Sequence, residues 1–163
     1  MRRIVLICAL LLGLPLAATA MDITADPATI KWGPPPPGLP PGAQVAVISG
    51  DPGSNGPYVV RAKLPRGYTI APHTHPTDEN VTVLSGSMRF GMGDKLDKKK
   101  ATVVRAGGFF GAEQGMQHYA FTSRGAVIQV HGMGPFAITY VNAADDPRNK
   151  PTAQAAPAAD KKK

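Results

Sequence analysis

Between residues 44 and 141 the chain is a succession of short apolar-rich segments, each bounded by Gly, Pro, Asn or Asp. Several alternate with a period of two: Tyr58, Val60, Ala62 and Leu64 fall on one face with Arg61 and Lys63 on the other, and Met88, Phe90 and Met92 oppose Ser87 and Arg89. Successive side chains of a strand project to opposite faces, so this is the pattern of half-buried antiparallel strands. Turn residues and alternation together predict strands over residues 44–49, 58–64, 68–73, 80–84, 87–92, 101–105, 117–122, 126–131 and 136–141, and no segment reads as a convincing helix. The fold class is therefore all-β. A domain this small buries its apolar faces by packing sheet against sheet or by closing one sheet on itself, and periodicity leaves both a sandwich and a barrel open.

The ends differ in character from this strand-rich region. A length of 163 residues suits one ordinary domain with extensions. Residues 1–20 have the layout of a secretory signal: Arg2 and Arg3, an apolar run from Ile4 to Leu16, and Ala18-Thr19-Ala20 as a small-residue cleavage site. A spanning helix needs on the order of 20 apolar residues, and this run is shorter and interrupted by Pro15. The expectation is a cleaved signal, no stable membrane anchor, and a periplasmic or secreted mature protein. Cys8, the sole cysteine, leaves with the signal, so neither disulfides nor thiol chemistry would act in the mature chain. Residues 21–42 form a proline-rich arm in which Pro34-Pro35-Pro36-Pro37 favours polyproline II, with Trp32 as an apolar peg against the domain. Residues 43–142 constitute the domain, and residues 143–163, with their Ala, Pro and Lys, read as a disordered tail.

A formal charge of +7 does not by itself indicate nucleic acid as a partner. Two of the positive charges lie in the signal and others in Lys98-Lys99-Lys100 and Lys161-Lys162-Lys163, where no aromatic residues interleave to stack on bases. These clusters read as a solvated loop and a solvated tail.

Chemistry concentrates on the histidines. His73 and His75 are two apart on an expected strand end, so both imidazoles can aim at one point, and Pro76-Thr77-Asp78 provides a bend that brings the Glu79 carboxylate back to it. Two imidazoles and a carboxylate suit a first-row divalent ion such as manganese, iron, cobalt, nickel or zinc. The segment Gly67-x5-His73-x-His75-x3-Glu79-x6-Gly86 resembles the first motif of the cupin superfamily at every defined position, and Gly107-x5-Glu113-x-Gly115-x2-His118-x3-Thr122 resembles the second. In the second motif Glu113 stands where cupins usually carry proline and Thr122 where they usually carry asparagine, which bears on turn geometry and not on the ligands. The resemblance spans residues 44–141 and implies a single jelly-roll-like antiparallel β-barrel. It also implies one divalent transition metal (Fe, Mn, Ni or Zn ahead of Cu) held by His73, His75, Glu79 and His118.

Other residues carry weaker signals. Gln129 and His131 share a face with Val127, so His131 is a candidate for orienting a substrate or a ligand, and Glu113 is a candidate general base at a barrel mouth. Arg89 is a possible carboxylate partner whose facing alternation leaves ambiguous, and Tyr119 and Phe121 should point away if His118 points inward. Met88, Met92, Met116 and Met133 raise copper as an ion, although methionine more often fills cores. The implied functions are a metal-dependent enzyme of oxygenase, decarboxylase, isomerase or lyase type acting on a small molecule, or a non-catalytic cupin that stores or senses a ligand. His131 or Glu113 in the cavity would favour catalysis, and a sealed apolar cavity the alternative. A homodimer through sheet edges or the arm is compatible with either. Export predicts that the protein recovered from its native cell has lost residues 1–20, and intact-mass measurement checks this: a full-length chain confined to the cytosol would rule the signal out.

Overall fold

The computed structural model describes residues 24–150, so the expected signal over 1–20 and most of the tail lie outside the described residues. The alternating segments become β1 (Gln44–Ser49), β2 (Pro57–Leu64), β3 (Thr69–Thr74), β4 (Glu79–Met92), β5 (Thr102–Arg105), β6 (Phe109–Ala112), β7 (His118–Phe121), β8 (Ala126–Met133) and β9 (Thr139–Tyr140). These pair antiparallel in the order β1-β2-β8-β4-β7-β3-β9, with β5 and β6 also joined to β4. The first half of β4 pairs with β8 and β6, and the second half with β7 and β5. One strand therefore belongs to both leaves of a sheet that curls into a half-barrel, the jelly-roll arrangement of the all-β expectation. Among the described residues no helix is long and apolar enough to cross a membrane.

The bend that makes this possible lies at residues 83–86. Glu79, Val81 and Val83 are buried in the first half of β4, and Met88 and Phe90 in the second, so the inward face changes from odd to even positions. A register shift between Val83 and Ser85 absorbs the change, and Gly86, at φ +74°, turns the chain where a side chain would run into Gly125. The segments expected over 80–84 and 87–92 are thus one strand, bent rather than interrupted. A strand at Phe109–Ala112 was not legible because its two glycine neighbours and Gly111 resemble a turn. The segment expected over 136–141 is reduced to Thr139–Tyr140, since Phe136 leaves the sheet to pack inside the barrel against Tyr58.

Tyr58, Leu64, Val81, Val83, Met88 and Val130 are among the residues that form the main core between the leaves. Outside the second leaf lies a smaller cluster of Ala101, Tyr119 and Phe121 with Leu96. The Tyr119 hydroxyl donates to Asp97 O at 2.7 Å, and Lys98 lies over the Phe121 ring, so the lysine-bearing loop covers this cluster. Tyr119 and Phe121 point away from the barrel interior, as alternation with His118 requires. Thr122, in the asparagine position of the second motif, donates to Ser87 O at 2.8 Å and accepts from Gly125 N at 3.1 Å, which fixes the turn between β7 and β8.

The arm lies along the barrel. Gly33 pairs with Val45, Lys63 sits 4.1 Å from the centroid of Trp32, and the hydroxyls of Tyr68 and Tyr140 donate to Pro40 O and Gly38 O. Within the tail expected to be disordered from residue 143, Ala143–Asp145 and Pro147–Asn149 instead form two 3-10 turns, and residues 151–163 lie outside the described residues. Asn142 and Asp146 cap them, and Arg148 bridges Asp146 to Ile138 O.

Gly91 lies opposite Tyr119 on β7, and a Cβ there would occupy the space of the Tyr119 ring. Gly91→Ala is expected to destabilise the fold by about 1–3 kcal/mol, the usual cost of overpacking. Urea denaturation checks this, and an unchanged midpoint would contradict it.

Candidate metal centre

Three of the four histidines meet inside the barrel. His73 is on β3 and His118 is its direct cross-strand partner on β7, which puts their ring centroids 4.2 Å apart. His75 follows the end of β3, 4.8 Å from His73 and 5.3 Å from His118 between centroids. One nitrogen from each ring can be chosen so that all lie within 4.8 Å of one another, and these three residues could hold a metal ion. A bulge makes the arrangement possible. Between Ile70 and His73 the register with β7 slips, since three steps on β3 match two on β7, and both Ile70 and His73 face inward. Pro72, which has no N–H to give to the ladder, occupies this bulge.

Glu79 opens β4 in the facing leaf and brings its carboxylate to the imidazoles, with Oε1 3.6 Å from His75 Nε2 and Oε2 3.3 Å from His118 Nε2. All four side chains are buried. Their hydrogen bonds fix the chemistry. His73 Nδ1 lies 2.7 Å from Ala71 O, His75 Nδ1 2.7 Å from Ala137 O and His118 Nδ1 3.0 Å from Met116 O. A carbonyl oxygen can only accept, so each Nδ1 must donate, and in the neutral ring Nε2 is left as a bare lone pair. The Nε2 atoms of His75 and His118 are buried without a partner.

The ionisation of the group is consistent with this tautomer. Burial, and next the neighbouring His118, lower the pKa of His73 from 6.5 to about 3 despite its bond to Ala71, and burial lowers His75 as well. Burial alone would raise Glu79, but hydrogen bonding with His118, and next the positive charge that a proton on His75, His118 or His73 would bring, hold its carboxyl below the usual range. Neutral His73 and His75 therefore sit beside the buried Glu79 carboxylate with little access to water. Acceptors packed against acceptors repel unless a cation lies between them. The donor set, nitrogen and oxygen without sulfur, fits a divalent first-row metal. Met88 is buried in the core and Met92, Met116 and Met133 are exposed, so no methionine belongs to the group of three histidines.

Aromatic rings enclose the imidazoles: Phe136 stacks on His75 at 4.6 Å, and Phe110 and Tyr140 flank His118 and His73. Tyr58 is buried, its hydroxyl has no partner, and burial followed by the charge of Glu79 pushes its pKa well above the usual phenol value. Alternation marked Tyr58 as inward, but nothing in the sequence linked it or Phe136 to the site.

The two tentative catalytic residues stand elsewhere. On β8 the buried positions are Ala126, Ile128 and Val130, so Val127, Gln129 and His131 lie on the outer face of the leaf. Gln129 accepts from Arg61 there, and His131 lines a hollow of about 600 Å³ with Thr77, Asp78 and Asn80. His131, offered as a residue that could point into the pocket, is turned outward by the phase of β8, which gives the interior to Val130. Glu113 is exposed in the turn after β6, one position beyond the inward Ala112 that pairs with Glu79. Arg89 is likewise outward, between the buried Met88 and Phe90.

A cavity of about 350 Å³ between the first leaf and the arm has Glu79 in its lining. Its wall is the inner face of the first leaf, including Val45, Val60 and Val130, with Ile70 and Phe136 opposite and Pro34, Pro36 and Leu39 of the arm beside them. Among the described residues lining it, Glu79 alone has a polar side chain.

Comparison with known proteins agrees with this fold. The polyketide cyclase RemF from Streptomyces resistomycificus superposes with a TM-score of 0.64 at 18% identity, over 78% of this chain and 91% of its own. A Methylibium petroleiphilum PM1 protein assigned as an acetylacetone dioxygenase superposes at 0.60 with 15% identity, over 81% and 89%. An RmlC-like cupin from Shewanella frigidimarina NCIMB 400 superposes at 0.53 with 14% identity, over 68% and 88%. The protein has the double-stranded β-helix fold of the cupin superfamily. Residues 15–139 match the family described as "Domain of unknown function (DUF4437)", and the chain belongs to that family. No curated protein matches the sequence significantly.

The lowered pKa values set a pH dependence for the metal-free protein. In the unfolded chain His73 and His75 take up protons near 6.5, whereas the folded state resists protonation of His73 down to about 3. The unfolded state thus binds more protons in this window, and stability falls as pH decreases through it. The melting temperature of chelator-treated protein is expected to drop steadily from pH 7 to pH 4, with a shallower slope in His73→Phe. Equal slopes, measured by scanning calorimetry, would contradict this origin.

Proposed function

We propose that the protein is an exported metal-dependent cupin enzyme acting on a small organic molecule, with His73, His75, His118 and Glu79 as ligands to one divalent ion, Fe, Mn, Ni or Zn. The observation that carries this reading is the set of buried, unpartnered imidazole nitrogens fixed toward the Glu79 carboxylate, which lines a cavity. A bound divalent ion supplies Lewis acidity, polarising an oxygen of the substrate.

The protein's own groups do the positioning. The carbonyls of Ala71, Ala137 and Met116 hold the three rings in one tautomer, and Phe136 braces His75 by stacking. Glu79 provides the compensating negative charge and is the one ionisable side chain on the cavity wall, so a proton moved by the protein there would be moved by its carboxylate. That same scarcity favours a second reading, in which the barrel holds a ligand without transforming it.

Elemental analysis of the mature protein, purified without affinity tag or chelator, is expected to give about one equivalent of metal. His73→Ala/His118→Ala should lose it together with any turnover, and Glu79→Gln should lower metal affinity at least about tenfold. A metal-free native protein would overturn the proposal, and turnover that survives in the metal-free variant would overturn the role of the ion. A metal-loaded protein that binds but never converts its ligand would support the second reading.

A further inference from the structure

The cavity's wall says more about its occupant than the metal ligands do. A ligand entering it leaves water for a surface of Val, Ile, Leu, Pro and Phe side chains, with no cation and no hydrogen-bond donor among the lining side chains. Apart from the ion itself, a dianion would find nothing in the wall to balance its charge and would lie near the Glu79 carboxylate, and each sugar hydroxyl buried without a partner would weaken binding about tenfold. An apolar ring gains from burial on the same surface. At about 350 Å³ the space is in the range of small-molecule sites and suits one or two fused rings.

The arm is part of this wall. Pro34, Pro36 and Leu39 line the cavity, and the arm is tied down by two tyrosines, Tyr68 to Pro40 O at 2.6 Å and Tyr140 to Gly38 O at 2.9 Å. Val47 faces inward on β1 opposite Val60 yet is 56% exposed, which marks the mouth. A molecule entering past Val47 meets apolar side chains, and Glu79 is the one proposed metal ligand on the wall.

We infer that the cavity binds a small, uncharged, ring-containing molecule carrying an oxygen donor at one end, with the arm as a fixed wall that selects for shape. The oxygen-donor end rests on the metal-centre reading, and the apolar part stands on the cavity alone.

2-Naphthol, which is fluorescent, and oxalate serve as probes on the mature full-length protein, with metal content measured in the same samples. Metal-loaded protein should bind 2-naphthol, and oxalate in large excess should not displace it. Val60→Phe, which fills the cavity, and Val47→Trp, which obstructs the exposed mouth at little risk to folding, should each weaken 2-naphthol binding at least tenfold with metal content unchanged. His73→Ala should weaken it less and abolish metal. Absence of metal with 2-naphthol still bound and sensitive to Val47→Trp would sink the metal centre and keep the apolar site. Metal present with oxalate bound in preference to 2-naphthol, or 2-naphthol affinity unaffected by Val47→Trp, would overturn this inference and leave the metal centre standing.

Discussion

Three hydrogen bonds from imidazole to backbone carbonyl govern the interior of this protein. Each takes the one proton that a neutral histidine ring can donate and spends it on the scaffold, so that the remaining nitrogen faces the barrel centre as an acceptor. Had the rings been free to flip, the Glu79 carboxylate could have drawn an N–H from one of them and the cluster would have satisfied itself. Held as they are, the four side chains are electrostatically incomplete, and the stability of the apolar surroundings has to offset that deficiency. This fits the presence of aromatic rings on three sides, since a site that must keep its geometry while disfavouring itself needs rigid neighbours.

The acceptor carbonyls come from different parts of the chain, and this ties the centre to the fold. Ala71 and Met116 each lie two residues before their histidine, so these bonds are local to their strands, but Ala137 reaches His75 from beyond β8. The bulge on β3 and the bend in β4 are two of the places where the alternation of side chains changes phase. One presents His73 on the same side as Ile70, and the other lets Glu79 and Phe90 both face inward from a single strand. The candidate metal centre therefore depends on two irregularities of the sheet.

Much of this was legible in the sequence, for reasons that differ by residue. The spacing of His73, His75 and Glu79 within one motif encodes their convergence directly, and the inward face of β2 follows from its strict alternation. The facing of His131 is not legible because it depends on which positions of β8 meet the interior, and alternation gives two faces without saying which is which; Ile128 and Val130 take the inside. Glu113 was uncertain for a related reason, since a turn residue has no phase to read. Residues 109–112 were hidden by their glycines, and Tyr58 and Phe136 join the site through contacts between segments far apart in the chain. The order of residues 143–149 depends on caps and on Arg148 reaching Ile138, interactions that composition does not register.

The arm's attachment imposes an order of events on a chain made from its N-terminus. The segment that walls the cavity is among the first parts of the described chain to be synthesised, yet one of its two anchors is Tyr140, 102 residues downstream of Gly38. Contacts of such separation close late. Until β9 has joined the sheet, the arm has only its links to β1, β2 and Tyr68, and one side of the interior stays accessible. A nascent chain without β9 would leave the imidazoles open to solvent by a wider path than the finished barrel offers, and any ion the site takes would have its easiest entry before the last strand is in place.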